Sequence, residues 1–96
     1  MNNLDKVRQV ARDLRRQEPR PSDEELGGES HAARTVDKCR ASLLGCNGDY
    51  QFGCPLDQLF FEQTGIDQDE FRDYVATGAT DQEIAAWIRQ HKTVTK

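Results

Sequence analysis

Glycine and proline interrupt this chain so regularly that every ordered element has to be short. Pro19 and Pro21, the pair Gly27 and Gly28, then Gly45, Gly48, Gly53, Pro55, Gly65 and Gly78 separate segments that carry helical patterning. Glycine accepts the left-handed backbone that closes a helix, whereas proline lacks the N–H and the room needed to continue one. Within the segments, apolar residues recur three and four positions apart, as on one buried helix face. These marks predict an all-α fold, a compact bundle of four to five short helices with one glycine-rich turn or a very short β-hairpin near residues 45–53.

Leu4, Val7, Val10, Ala11 and Leu14 predict a first helix over residues 4–17, stopped by the stiff connector Glu18–Pro21. Ser22 and Glu25 stand at capping-box spacing and predict a single helical turn ending at Gly27 and Gly28. Ala32, Ala33, Val36, Cys39 and Leu43 predict a central helix from Ser30 to Leu44. Asn47-Gly48, two residues that both accept positive φ, marks the tight turn or hairpin that follows. Pro55 suits a first helical position, where its missing N–H has no partner to lose. That helix carries Leu56, Leu59, Phe60 and Phe61 as its expected buried stripe and ends at Gly65. Asp67 with Glu70 opens another helix, bearing Phe71, Tyr74 and Val75 and closing at Gly78. Thr80 with Glu83 opens the last, through Ile84, Trp87 and Ile88 to about His91, with 92–96 expected to fray. Phe60, Phe61, Phe71 and Trp87 read as core residues before they read as a partner groove.

A length of 96 residues predicts one domain over 1–96, and only 19 residues are Leu, Ile, Val or Phe. The core is therefore thin, and self-association as a homodimer is one way to supplement it. Net charge is only −4, which favours a folded chain over a disordered one. Residues 1–20 hold six basic and three acidic side chains, whereas 46–96 hold four and nine. Arg8, Arg12, Arg15 and Arg16 are interrupted by Asp5 and Asp13, as on a solvated helix face, and the acidic remainder argues against binding nucleic acid. There is no apolar run of about 18 to 20 residues and no apolar stretch of a signal peptide, so the expected address is the cytoplasm and no membrane partner is expected. Cys39, Cys46 and Cys54 are odd in number and read as reduced thiols.

Cys54 is the sharpest chemical candidate. As the N-cap before Pro55, its sulfur would face unpaired N–H groups and the positive end of the helix dipole, which favours a thiolate. Arg34, Lys38 or His31 nearby would add to that effect, while Asp57 would oppose it. The same letters also read as a helix-start device with Cys in the place of Ser. A Cys54–His31 nucleophile pair with Asp37 as the orienting acid is a catalytic arrangement these residue types allow. The plainer reading places His31 in water at a helix start and His91 near a helix C-terminus. Cys39, Cys46, Cys54 and His31 lack the close ligand pairs of a structural zinc site, so no metal and no cofactor are expected. No lysine-serine or lysine-threonine pair follows the glycines, which argues against a nucleotide loop.

Arg34, Asp37, Lys38 and Arg40 on the central helix offer two further readings. One is an anion-binding or partner-binding face, since guanidinium groups match carboxylates and phosphates. The other is an internal salt-bridge network tying this helix to Asp57 or to the glycine turn.

The residues Leu26-Gly27-Gly28, His31, Ala33-Arg34, Asp37-Lys38, Arg40-Ala41, Gly45, Gly48, Tyr50, the run Cys54-Pro55-Leu56-Asp57-Gln58 and Gly65-Ile66-Asp67 occur here in order. On these the chain resembles, over about residues 13–90, the small bacterial family called domain of unknown function 5069. The resemblance implies a stand-alone cytoplasmic protein and no particular activity, and it joins the central helix, the glycine turn and the segment at Cys54 into one unit. Cys39 and Cys46 fall outside its pattern. The leading expectation is a non-enzymatic module that binds a protein partner or a small anionic ligand through Arg34, Lys38, Arg40, Tyr50 and Asp57 around Cys54. The alternative is a thiol-dependent enzyme or redox sensor with Cys54 as nucleophile.

Overall fold

Five helices follow one another in the computed structural model, which describes residues 2–93: α1 (Leu4–Val10), α2 (Ala32–Leu44), α3 (Pro55–Thr64), α4 (Gln68–Val75) and α5 (Asp81–His91). Among the described residues no strand forms, and one isolated bridge joins Leu26 and Glu29. None of these helices is long and apolar enough to cross a membrane.

The caps explain most of the boundaries. Asn3 accepts the Lys6 N–H, Asp67 accepts the Glu70 N–H, and Thr80 with Glu83 closes a full capping box. Gly45 and Gly65 end α2 and α3 in the left-handed region, where glycine has no Cβ to strain.

Two expected elements differ. The first helix stops at Val10 instead of reaching residue 17, because Ala11 is extended and the Leu14 N–H pairs with the Cys46 carbonyl. Asp13 then turns the chain by accepting the Arg15 N–H, a local bond that competes with helix. The expected helical turn ending at Gly27 and Gly28 is instead a tight reversal, in which Leu26 and Glu29 exchange backbone hydrogen bonds across two glycines of positive φ. Residues 45–53 take the expected glycine-rich turn and not the hairpin alternative; the Asn47 side chain donates to the Tyr50 carbonyl and holds the loop closed. Gly48 approaches the Leu14 backbone so closely that a Cβ would sit 2.8 Å from its carbonyl oxygen.

Burial also departs from expectation on α3. Leu56 and Leu59 lie more than half exposed, while Asp57 is wholly buried beside Phe60 and Phe61. The helix is thus rotated so that a carboxylate, not a leucine, faces α2. Phe71 of α4 sits at the centre of the core, with Phe52, Phe60, Phe61 and Trp87 at ring distances of 5.4–6.2 Å. Val36 and Cys39 of α2 and Ile84 and Ile88 of α5 complete it. Residues 92 and 93 are held and do not fray as expected: Lys92 pairs with Glu29, and the Thr93 N–H donates to the Thr64 carbonyl. Residues 94–96 of that expectation lie outside the described residues.

Candidate functional site

The site is built where the N-terminus of α3 meets the first two turns of α2. His31, Thr35 and Lys38 stand at helical spacing and all point at Asp57, the third residue of α3. Asp57 Oδ1 accepts from His31 Nε2 at 2.9 Å and from the Thr35 hydroxyl at 3.1 Å. Oδ2 accepts from Lys38 Nζ at 3.0 Å and from the Gly53 N–H at 2.9 Å. A carboxylate removed from water in this way needs donors on both oxygens, and four are present.

Lys38 makes a second contact, donating to Cys54 Sγ at 3.0 Å. Its side chain is 4% exposed, so the ammonium is shared between Asp57 and the sulfur and does not project into solvent. Cys54 is the N-cap of α3 with Pro55 next, as its sequence predicts, and it remains half-buried. Burial pushes the Cys54 thiol up, but the Lys38 ammonium and the N–H groups of Asp57 and Leu56 outweigh it, and the thiol falls below its ordinary value. Neither N–H meets hydrogen-bond geometry at the sulfur, so the lysine is the defined partner. Cys39 is the opposite case: buried in the core, its thiol is pushed up to about 12.

His31 is not in water at a helix start. Its side chain is 12% exposed, and its backbone adopts φ +69°, a left-handed conformation costing a non-glycine residue about 1–2 kcal/mol. The Ser22 carbonyl, which accepts the His31 N–H, and the bond to Asp57 hold it there. The acid that orients His31 is therefore Asp57, and Asp37 belongs elsewhere.

Asp37 lies in a second buried cluster, with Arg20, Arg40 and Asp81. Arg20 donates from its backbone N–H, Nε and Nη2 to Asp37 and from Nη1 to Asp81. Arg40 donates to Asp81 and to the Ala79 carbonyl, and is 3% exposed. The structure thus takes Arg40 away from the expected ligand face. Burial pushes the Asp81 carboxyl up, but its two arginines outweigh that and hold it below its ordinary value. Arg20 and Asp81 carried no signal in the sequence: one follows a proline in a connector, the other reads as an ordinary first-turn acid.

Arg34 and Tyr50 do come together, the guanidinium carbon lying 5.6 Å from the ring centroid. Arg34 also donates to the Arg20 carbonyl at 3.3 Å. A cleft of about 270 Å³ is lined by Arg8, Ala11, Arg12, Asp13, Arg15, Leu44 and Cys46 and adjoins the second cluster through Arg12. All three of its arginines are already paired, Arg8 with Asp5, Arg12 with Asp37 and Arg15 with Asp13. Among the described residues no three His, Cys, Asp or Glu side chains are arranged to hold a metal ion.

No curated protein matches this chain. A family model does, over residues 16–96, a span that contains both ionic clusters, Tyr50 and Cys54 and leaves out α1 and most of the cleft. The chain belongs to the family described as domain of unknown function (DUF5069).

Proposed function

We propose that this protein works through Cys54 as a charge-stabilised nucleophilic thiolate, in a thiol-dependent enzyme or a redox sensor. The observation that carries this reading is the 3.0 Å contact between Lys38 Nζ and Cys54 Sγ. The thiolate, not the thiol, is the nucleophile, and an adjacent ammonium raises its share near neutral pH. Lys38 is held in place by a buried carboxylate that is itself fixed by His31, Thr35 and Gly53, so the cation is pre-positioned. Cys54 is only half-buried and stands at a helix start, where an incoming electrophile needs no deep pocket.

A second reading, recognition of a small anion or an acidic partner, is favoured by one observation. Among the described residues Arg34 has no carboxylate partner, and it sits one helical turn from Lys38, against Tyr50.

The test is a competition among the three thiols of the intact chain. Less than one equivalent of iodoacetamide near neutral pH, followed by peptide mass spectrometry, is expected to modify Cys54 first, Cys46 more slowly and Cys39 last. Modification of Cys46 ahead of Cys54 overturns the reading.

A further inference from the structure

The charges around the sulfur narrow the kind of electrophile it meets. With Cys54 as thiolate, the positive charge of Lys38 faces two negative ones, the sulfur and the Asp57 carboxylate. That pair of contacts leaves no net attraction for an anion. Arg34 supplies it. Among the described residues, Lys6, Arg34, Arg72 and Arg89 have no carboxylate within ion-pair distance, and of these only Arg34 is half-buried; the other three are exposed. A guanidinium held over Tyr50 and left without a carboxylate is a prepared site for one.

The thiols narrow the chemistry. Cys39 lies wholly in the core, and the Cys46 sulfur is turned toward the Arg12 carbonyl at 3.8 Å. Neither contacts Cys54, and all three thiols are free, so a sulfur that exchanges with Cys54 comes from outside the chain. Thiol–disulfide exchange suits the site because it asks for a thiolate and a leaving thiolate, with no proton transfer in the step.

From these observations, and resting on the nucleophilic reading of Cys54, we infer that Cys54 undergoes reversible mixed-disulfide formation with a low-molecular-mass thiol that carries a carboxylate, and that Arg34 receives the carboxylate. The Cys54 sulfur attacks one sulfur of the small-molecule disulfide. A new S–S bond forms to Cys54, the old one breaks, and its electron pair leaves with the second sulfur as a thiolate. Lys38 lies beside the reacting sulfur, where it offsets the negative charge in transit. Cys54 is oxidised and one half of the incoming disulfide is reduced. A second thiolate reverses the step.

The experiment compares the rates at which the full chain reacts with glutathione disulfide, which is anionic, and with hydroxyethyl disulfide, which is neutral. Each is normalised to the same reaction of a small free thiol, with the adduct located by mass spectrometry. One charge-assisted hydrogen bond corresponds to about tenfold or more in rate if formed at the transition state. The normalised ratio of anionic to neutral rate is therefore expected to be about tenfold in the wild-type chain. It should fall most of the way to unity in Arg34→Gln and recover in part in Arg34→Lys. A wild-type ratio at or below unity, or one that Arg34→Gln leaves in place, overturns the inference about Arg34 while leaving Cys54 a nucleophile. Failure of both disulfides and iodoacetamide to modify Cys54 overturns the nucleophilic reading itself.

Discussion

Two buried ionic clusters hold this small protein together, and they differ in how they end. Arg20, Arg40, Asp37 and Asp81 bond to one another with Arg12 and Glu24 at the rim, a set closed in that each of its ion pairs joins only carboxylates and guanidinium groups. The cluster ties the connector after Pro19 to α2 and α5. The cluster at Asp57 has the same materials, a buried carboxylate and a buried cation, but its chain of contacts runs on from Lys38 to a thiol. A closed cluster is explained by the segments it fixes. One that terminates on a sulfur also sets the charge state of a reactive atom, and geometry alone separates the two roles.

The sharpest way to break the comparison is Asp57→Ala, which removes the acceptor of four hydrogen bonds and leaves the buried Lys38 with the Cys54 sulfur as its one remaining side-chain partner among the described residues. Loss of one partner from a buried pair costs about 3–5 kcal/mol. Urea denaturation should show a loss in that range, near the whole stability of a thin-cored domain, together with release of the strained His31 backbone. A loss below about 1 kcal/mol would mean that Asp57 is solvated and that the cluster is not buried as described.

Arg20→Met should cost somewhat less, about 3 kcal/mol, because Asp37 keeps Arg12 at 3.8 Å and Asp81 keeps Arg40. Its value lies in the contrast: stability falls while the rate of Cys54 alkylation stays unchanged. The two clusters also separate in pH. The Asp81 carboxyl is held low, so its contribution is complete above the ordinary carboxylate range and is lost only as pH falls through its lowered value. The Asp81 carboxylate is thus held charged by its arginines, whereas the Cys54 thiol is shifted down from the ordinary thiol range by Lys38.

The helices were legible because their signals are local. The Thr80 and Glu83 box, Asp67, Pro55 and the closing glycines all act within a turn of themselves, and each marks a boundary in the structure. The first helix was over-extended because its periodicity continues past Val10, while what ends it is a bond from Leu14 to Cys46, far along the chain. Gly27-Gly28 carries as good a reversal signal as Asn47-Gly48, and of the two it is Gly27-Gly28 that forms the bridge. At the site, Cys54 as N-cap and the grouping of His31 with Lys38 follow from spacing alone. Which acid they meet does not: Asp37 is nearest in sequence, but its place on α2 turns it toward Arg20, and the rotation of α3 that buries Asp57 contradicts the apolar stripe that Leu56 and Leu59 suggest. Helix rotation is decided by cross-helix pairing, which no single segment encodes.

The central claim is that Lys38 sets the charge state of Cys54, and the pH dependence of Cys54 alkylation, followed by peptide mass spectrometry in the wild-type chain and in Lys38→Met, tests it most directly. A thiol held low in the folded state contributes stability above the ordinary thiol value and loses it as pH falls through the lowered one, and the midpoint of the rate should correspondingly lie below about 8.5. In Lys38→Met, with helix content checked by circular dichroism, burial remains while its main counterweight is gone, and the midpoint should move up to the ordinary thiol value or beyond it. A wild-type midpoint at or above about 8.5, or one that Lys38→Met leaves in place, would contradict the claim and return Cys54 to the role of a helix cap.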